Sequence, residues 1–266
     1  MILDVSHKTE YHFSEAPLYG LQQVRLTPQS YAGQRVLSWE LTFKGGNVES
    51  IFSDQYENIV HLVRMDEGAT QLTLASEGRV EMADMKGVIG PHEGFAPLWL
   101  FKRDTPLTTP GKGIGKLIKA IRKSPAQDIE KLHALSQNIG SHVRYELGTT
   151  DTMTTAEEAI KAKSGVCQDH SHIFIAAARK LGFPARYVSG YLMMTDRIAQ
   201  DATHAWAEAH IPDLGWVGFD VSNQISPDAR YVRVATGLDY SDSAPISGIT
   251  LGGREDSISV DVQVQQ

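Results

Sequence analysis

A single cysteine, Cys167, occurs in this chain of 266 residues. It excludes an intramolecular disulfide and any zinc site built from several thiolates. Positive charge is also in short supply. Lys and Arg number 25 against 32 Asp and Glu, a formal net charge of −7, which argues against a nucleic-acid backbone as partner. The basic stretch Lys112–Lys123 reads as a solvated helix face. No run approaches the roughly 18 uninterrupted apolar residues of a membrane-crossing helix, so no membrane partner is expected. The first residues, Met1–Lys8, lack a basic segment followed by an apolar core, and the expected compartment is the cytoplasm. There is no Asp-x-Asp-x-Asp-Gly calcium loop and no glycine-rich phosphate loop, so neither a cofactor nor a metal is expected. What the chain does have is an ordinary globular balance, 41% hydrophobic and 21% charged, enough for a packed core.

Residues 1–84 carry strand patterns, at Leu3–Phe13, Leu21–Leu26, Val36–Phe43, Ile51–Asp54, Ile59–Arg64 and Gln71–Met82. Turn chemistry separates them at Thr27-Pro-Gln, Lys44-Gly-Gly-Asn and Asp66-Glu-Gly. This predicts an N-terminal antiparallel β-sandwich with no reactive cluster. Gly90-Pro91 and Thr108-Thr-Pro-Gly mark a linker over 85–110. The remainder, 111–266, reads as one unit including the C-terminal strands, and its period turns helical at first. Ser124-Pro-Ala-Gln predicts a capping box opening a helix that carries Ile129, Leu132, Leu135, Ile139 and Val143 on one face. Thr154-Thr-Ala-Glu predicts a second box and a short helix to about Lys163. A third helix spans Ser164–Leu181, closed by Gly182 with Pro184 just beyond. Strands follow at Ala185–Met193, Thr203–Ile211, Gly215–Val221 and Tyr231–Ala235. A polar stretch, Ser241–Gly253, then leads to a last strand, Ile258–Val264. Helices followed by an antiparallel sheet make the fold class α+β.

Cys167 sits near the start of the third helix, in Ser164-Gly-Val-Cys-Gln-Asp. Free N–H groups and the positive dipole end favour a thiolate, the nucleophilic form, at that place. The competing reading is a small buried hydrophobe, the common fate of a free thiol. The neighbourhood favours chemistry. A glycine nearby permits close backbone approach, and polar Gln168 and Asp169 follow where a core position would want apolar residues. A thiol nucleophile needs a base, and the base an orienting group. His204 lies on a strand where His204, Trp206, Glu208 and His210 share one face and three alanines the other, so the strand can pack tightly on a helix. Asp220 and His204 are equidistant from position 212 in the turn Pro212-Asp-Leu-Gly, which predicts cross-strand neighbours. A carboxylate there would fix the imidazole tautomer. Taken singly, His204 could be a satisfied half-buried ring and Asp220 a turn residue. Asp169, His170 and His172 suggest a metal cluster, but only Asp169 and His172 share a helix face, and a zinc site wants three or four ligands.

The runs Gly165-Val-Cys-Gln-Asp, Leu181-Gly-Phe-Pro-Ala-Arg-Tyr-Val-Ser-Gly-Tyr-Leu, His204-Ala-Trp-Ala-Glu and Gly215-Trp-Val-Gly-Phe-Asp resemble the transglutaminase-like superfamily core. The order Cys, His, Asp at spacings of 37 and 16 residues matches that core. Papain-type chains instead place the histidine roughly 130–150 residues past the cysteine. The front β region and the tail from Ala235 to Gly248 resemble a bacterial branch of the superfamily. The resemblance implies a papain-like core, a Cys-bearing helix packed on an antiparallel sheet, with Cys167 as nucleophile, His204 as base and Asp220 as orienter. It implies acyl transfer from a peptide or isopeptide amide of a peptide or protein substrate through a thioester. The acceptor is water (a cysteine peptidase or amidase) or an amine (a Gln-to-amine cross-linker). A binding module without turnover is the reading of another class. Animal members use a tryptophan well before the cysteine as an oxyanion partner. Here Tyr145 is the candidate for that role, or else an aromatic packed at a helix end. Gln168, Asp169 and Trp206 are the candidate cleft residues.

Overall fold

The computed structural model describes residues 1–200 and 202–266. The front of the chain forms β1 (Ile2–Glu15), β2 (Tyr19–Thr27), β3 (Gln34–Lys44), β4 (Gly46–Ser53), β5 (Ile59–Met65), β6 (Gln71–Met82) and β7 (Val88–Gly90). Five helices alternate with two very short strands: α1 (Lys112–Leu117), α2 (Lys119–Lys123), α3 (Asp128–His142), β8 (Arg144–Tyr145), α4 (Ala156–Ala162), β9 (Ser164–Gly165) and α5 (Cys167–Leu181). Then come β10 (Ala185–Leu192), β11 (Ala199–Gln200), β12 (His204–Ile211), β13 (Gly215–Phe219), β14 (Tyr231–Gly237), α6 (Tyr240–Ser243), β15 (Ile246–Leu251) and β16 (Arg254–Gln265). The α+β class read from the sequence is the observed one, with antiparallel sheets and a helix bearing Cys167 packed on one of them. None of the helices among the described residues is long and apolar enough to cross a membrane.

Two sheets make the front sandwich, in the orders β11-β16-β1-β6-β3 and β15-β2-β5-β4. Phe13, Val24, Leu26, Val63, Leu72 and Leu74 fill the space between them. The third sheet, β14-β10-β12-β13-β7, carries α5 on one face. Ala205, Ala207 and Ala209 of β12 pack there against Ile173, Ala176 and Ala177 of α5, as the alanine face of the strand predicts.

Several boundaries differ from the sequence reading. The last two strands do not belong to the C-terminal unit. β16 pairs along β1 from Asp4↔Gln265 to Glu15↔Arg254, and β15 pairs with β2, so the tail completes both front sheets. The stretch read as polar, Ser241–Gly253, holds most of α6 and all of β15, since its Ile246, Ile249 and Leu251 are masked by interspersed Ser, Gly and Thr. Residues 85–110 are no free linker. β7 pairs with β13, and Phe101 is buried against Trp216. Arg179 of α5 donates to the Phe101 carbonyl at 3.0 Å and the Thr108 hydroxyl at 2.8 Å, tying the segment down. Both capping boxes are displaced. α3 is capped by Gln127 with Glu130, while Ser124 ends α2. α4 is capped by Thr155 with Glu158, one residue later than read. Glu157 is thereby freed to accept the N–H groups of Gly111, Gly113 and Ile114 at 2.7–2.9 Å, capping α1 from outside. α5 closes as read, with Gly182 at φ 104° in the left-handed region.

Candidate active site

Cys167 is the first residue of α5, with the extended Val166 before it. The sequence reading began this helix at Ser164, but Ser164 and Gly165 instead form β9, in parallel pairing with β8. The correction sets the thiol right at the helix terminus, where the free N–H groups lie. It also sets Tyr145 opposite Gly165, locked by Arg144 N–H to the Lys163 carbonyl at 3.0 Å and Glu146 N–H to the Gly165 carbonyl at 2.9 Å. The Tyr145 side chain is half exposed, beyond the end of α3 rather than packed on it. Burial raises its phenol pKa, and the neighbouring Cys167 adds to that rise.

His204 opens β12 at the same end of the sheet. Its Nε2 lies 2.7 Å from Asp220 Oδ2, and both residues are buried. The Cys167 thiol also comes near enough to the ring to favour its charged form. Burial works against a charged ring, yet the hydrogen bond to Asp220 and the approach of Cys167 outweigh it and hold the imidazole pKa up at about 10. For Asp220, burial favours the neutral acid, but hydrogen bonding to His204, Asn223 and Tyr231 wins and lowers its pKa.

The hairpin that brings His204 and Asp220 together has a register two residues away from the one read. Ile211 faces Gly215 and His210 faces Trp216, so the midpoint is Asp213, a left-handed residue at φ 67°, rather than 212. Asp220 therefore lies diagonal to His204 rather than directly across. An offset of two keeps the same face, and a diagonal neighbour is still within reach of a ring. Two partners of Asp220 were missed. Tyr231 donates its hydroxyl to Oδ2 at 2.7 Å from β14, and Asn223 donates its amide to the same oxygen at 2.7 Å and its N–H to Oδ1 at 3.1 Å. The run Asp220-Val-Ser-Asn carries a turn signal that points to Asn223. Nothing local points to Tyr231, which comes from β14, separated from β13 in the sheet by β10 and β12.

The three cleft candidates take different places. Gln168 is buried and donates to the Thr152 carbonyl at 3.2 Å, holding the loop after β8 against the start of α5. Asp169 turns back on its own helix, where Oδ2 accepts the Val166 N–H at 2.8 Å and the Thr150 hydroxyl at 2.7 Å, so it caps rather than lines. A Cβ on Gly165 would come within 2.7 Å of that carboxylate side chain, which is why glycine suits the position. Trp206 is packed among Val188, Leu192 and Tyr231 and belongs to the core behind His204. His170 bridges the Ser222 hydroxyl and the Val143 carbonyl, and His172 accepts the Tyr240 N–H, so both rings serve packing.

Two family models match the chain. That of the transglutaminase-like superfamily covers residues 115–221, and that of the bacterial transglutaminase-like N-terminal region covers residues 3–81. An uncharacterized protein of Mycobacterium tuberculosis is 31% identical over 287 residues, spanning 98% of this chain and 90% of the relative. An uncharacterized protein of Mycobacterium leprae is 26% identical over 276 residues, spanning 98% and 97%. Among solved structures, a candidate cysteine protease of Cytophaga hutchinsonii shares the fold with a TM-score of 0.79 at 21% identity, over 100% of this chain and 91% of that one.

Proposed function

The chain belongs to the transglutaminase-like superfamily, and from that premise we propose that it is a thiol enzyme transferring an acyl group from a peptide or isopeptide amide, through a thioester on Cys167, to water. The observation that carries the reading is the buried His204 imidazole, hydrogen-bonded to the Asp220 carboxylate and close enough to the Cys167 thiol at the N-terminus of α5 for the thiol to raise its pKa. In the reaction, the Cys167 proton passes to His204 and the sulfur attacks the amide carbon. The oxyanion meets the Cys167 backbone N–H and, as second donor, the Tyr145 hydroxyl. His204 then gives its proton to the leaving amine, the C–N bond breaks and the thioester remains. Water, deprotonated by His204, attacks the thioester, and the C–S bond breaks to release the acid and restore the thiol. Asp220 stays ionised throughout and holds the ring through Nε2.

Water is favoured over an amine as acceptor because Tyr145, beside the thiol, is half exposed, leaving that side of the site open to solvent. The substrate is a peptide or protein, met in the cytoplasm. The test is to label the native protein with a thiol electrophile, then analyse products from a peptide library with and without a lysine-type amine. The reading expects labelling at Cys167 and cleavage products that do not require the amine. Products formed only with the amine would make it a cross-linker. Labelling only after unfolding would make it a non-catalytic module.

A further inference from the structure

On the face of the third sheet away from α5 lies a cavity of about 290 Å³, roofed by the front sandwich. Its floor is cationic. Arg186 of β10 and Arg233 of β14 both bond through Nε to Glu208 of β12, at 2.5 and 3.0 Å. Glu208 is wholly buried and spends both carboxylate oxygens on these two groups. Two guanidinium groups against one carboxylate leave one positive charge in excess. Among the described residues, the terminal nitrogens of Arg186 and Arg233 make no hydrogen bond, although Arg186 is only 8% exposed. Each guanidinium carbon sits over an aromatic ring, Arg186 over Trp216 at 3.9 Å and Arg233 over Tyr31 at 5.4 Å. A planar, fixed fork with free donors is what a carboxylate recognises.

Two carboxylates share the lining. Glu57 and Glu93 belong to it, and the Glu57 carboxylate lies against Gly94, where a Cβ would come within 2.7 Å of Oε2. Among the described residues the Glu57 carboxylate has no cationic partner. Glu57 is also one of the few non-glycine residues with left-handed backbone, at φ 68°, a conformation that costs of order 1 kcal/mol and calls for a reason. Phe101 and Trp216 add apolar surface to the lining.

We propose that this cavity binds a small zwitterion of amino-acid size, its carboxylate on the terminal nitrogens of Arg186 and Arg233 and its ammonium toward Glu57 and Glu93. The two carboxylates disfavour a dianion, and the free arginine donors disfavour a simple cation. None of Cys167, His204 and Asp220 lines this cavity, so it stands or falls independently of the proposed acyl transfer.

The experiment is calorimetric titration of the full chain with L-leucine, N-acetyl-L-leucine and L-leucinamide, Cys167 having been alkylated first so that the catalytic cleft is blocked. Leucine should bind, and each blocked analogue should bind at least about tenfold more weakly. Arg233→Gln and Glu57→Gln, each checked for a cooperative unfolding transition, should each weaken leucine by a similar factor. Arg233→Gln is the more exposing variant, and the wild-type comparison of the three ligands decides the matter if it fails to fold. No leucine binding at about 10 mM overturns the proposal. Equal binding of either blocked analogue overturns it too, as does equal displacement of leucine by inorganic phosphate.

Discussion

At the scale of single residues, the site is a chain of hydrogen bonds ending on one buried carboxylate. Cys167→Ala and His204→Ala should each abolish turnover, and the double variant should be hardly worse than either, because the two act as a unit. Additive losses in single-turnover rates would separate them. Tyr231→Phe removes one of three donors to Asp220 Oδ2. It should cost about 1 kcal/mol of stability, read by denaturant melts, and lower kcat without changing the reaction. The His204 ring also sets a pH limit. Its folded pKa, about 10, is raised above the ordinary 6.5. The stability it contributes is therefore fully present below about pH 6.5 and lost as pH rises through about 10. Asp220→Asn withdraws the partner that sustains this, so the stability gap between wild type and Asp220→Asn should narrow from pH 7 toward pH 10. A gap that widens over that range would contradict the ion pair.

At the scale of elements, what was legible was what is local. The β12 alternation and the Gly182 stop of α5 follow from side-chain period and backbone chirality, and both stand in the structure. Ala207→Leu tests the first directly. An added side chain at this fully buried contact with α5 should cost about 1–3 kcal/mol in denaturant melts. The start of α5 was misplaced because Ser164 and Gly165 prefer pairing with Arg144 and Tyr145, a contact across the sequence that no helix signal contains. The Asp220 register slipped by two because Asp213, not Pro212, takes the left-handed turn position. The His204–Asp220 contact survives the slip, since two residues is one full strand period. Tyr231 was out of reach for the same reason as the β15 and β16 pairings: it meets its partner across the sheet, through tertiary contact that its own sequence does not signal.

At the scale of the whole molecule, the chain closes on itself. β16 runs beside β1, and β15 beside β2, so the front sandwich is made from both ends of the sequence. The seam to the third sheet is apolar, with Leu3, Val80 and Val264 against Tyr191 and Val232, and His7 Nδ1 lies 2.9 Å from the Tyr191 hydroxyl. From the sequence, a piece starting near Thr108 looks separable. In the structure that piece would carry β15 without β2, β16 without β1 and an uncovered apolar seam. It should fail to unfold cooperatively and should aggregate, as exposed strand edges do. Removing residues 254–266 alone should strip β1 of one neighbour and lower the thermal midpoint of the entire molecule in a single transition. Two separate transitions would mean that the halves are independent.

The most direct measurement of the central claim is intact-protein and peptide mass spectrometry of the protein quenched during incubation with an activated amide or ester. The account predicts an added acyl mass on Cys167 in the wild type, absent in His204→Ala and released by water. Substrate cleavage with Cys167 never acylated, or acylation undiminished in His204→Ala, would contradict it.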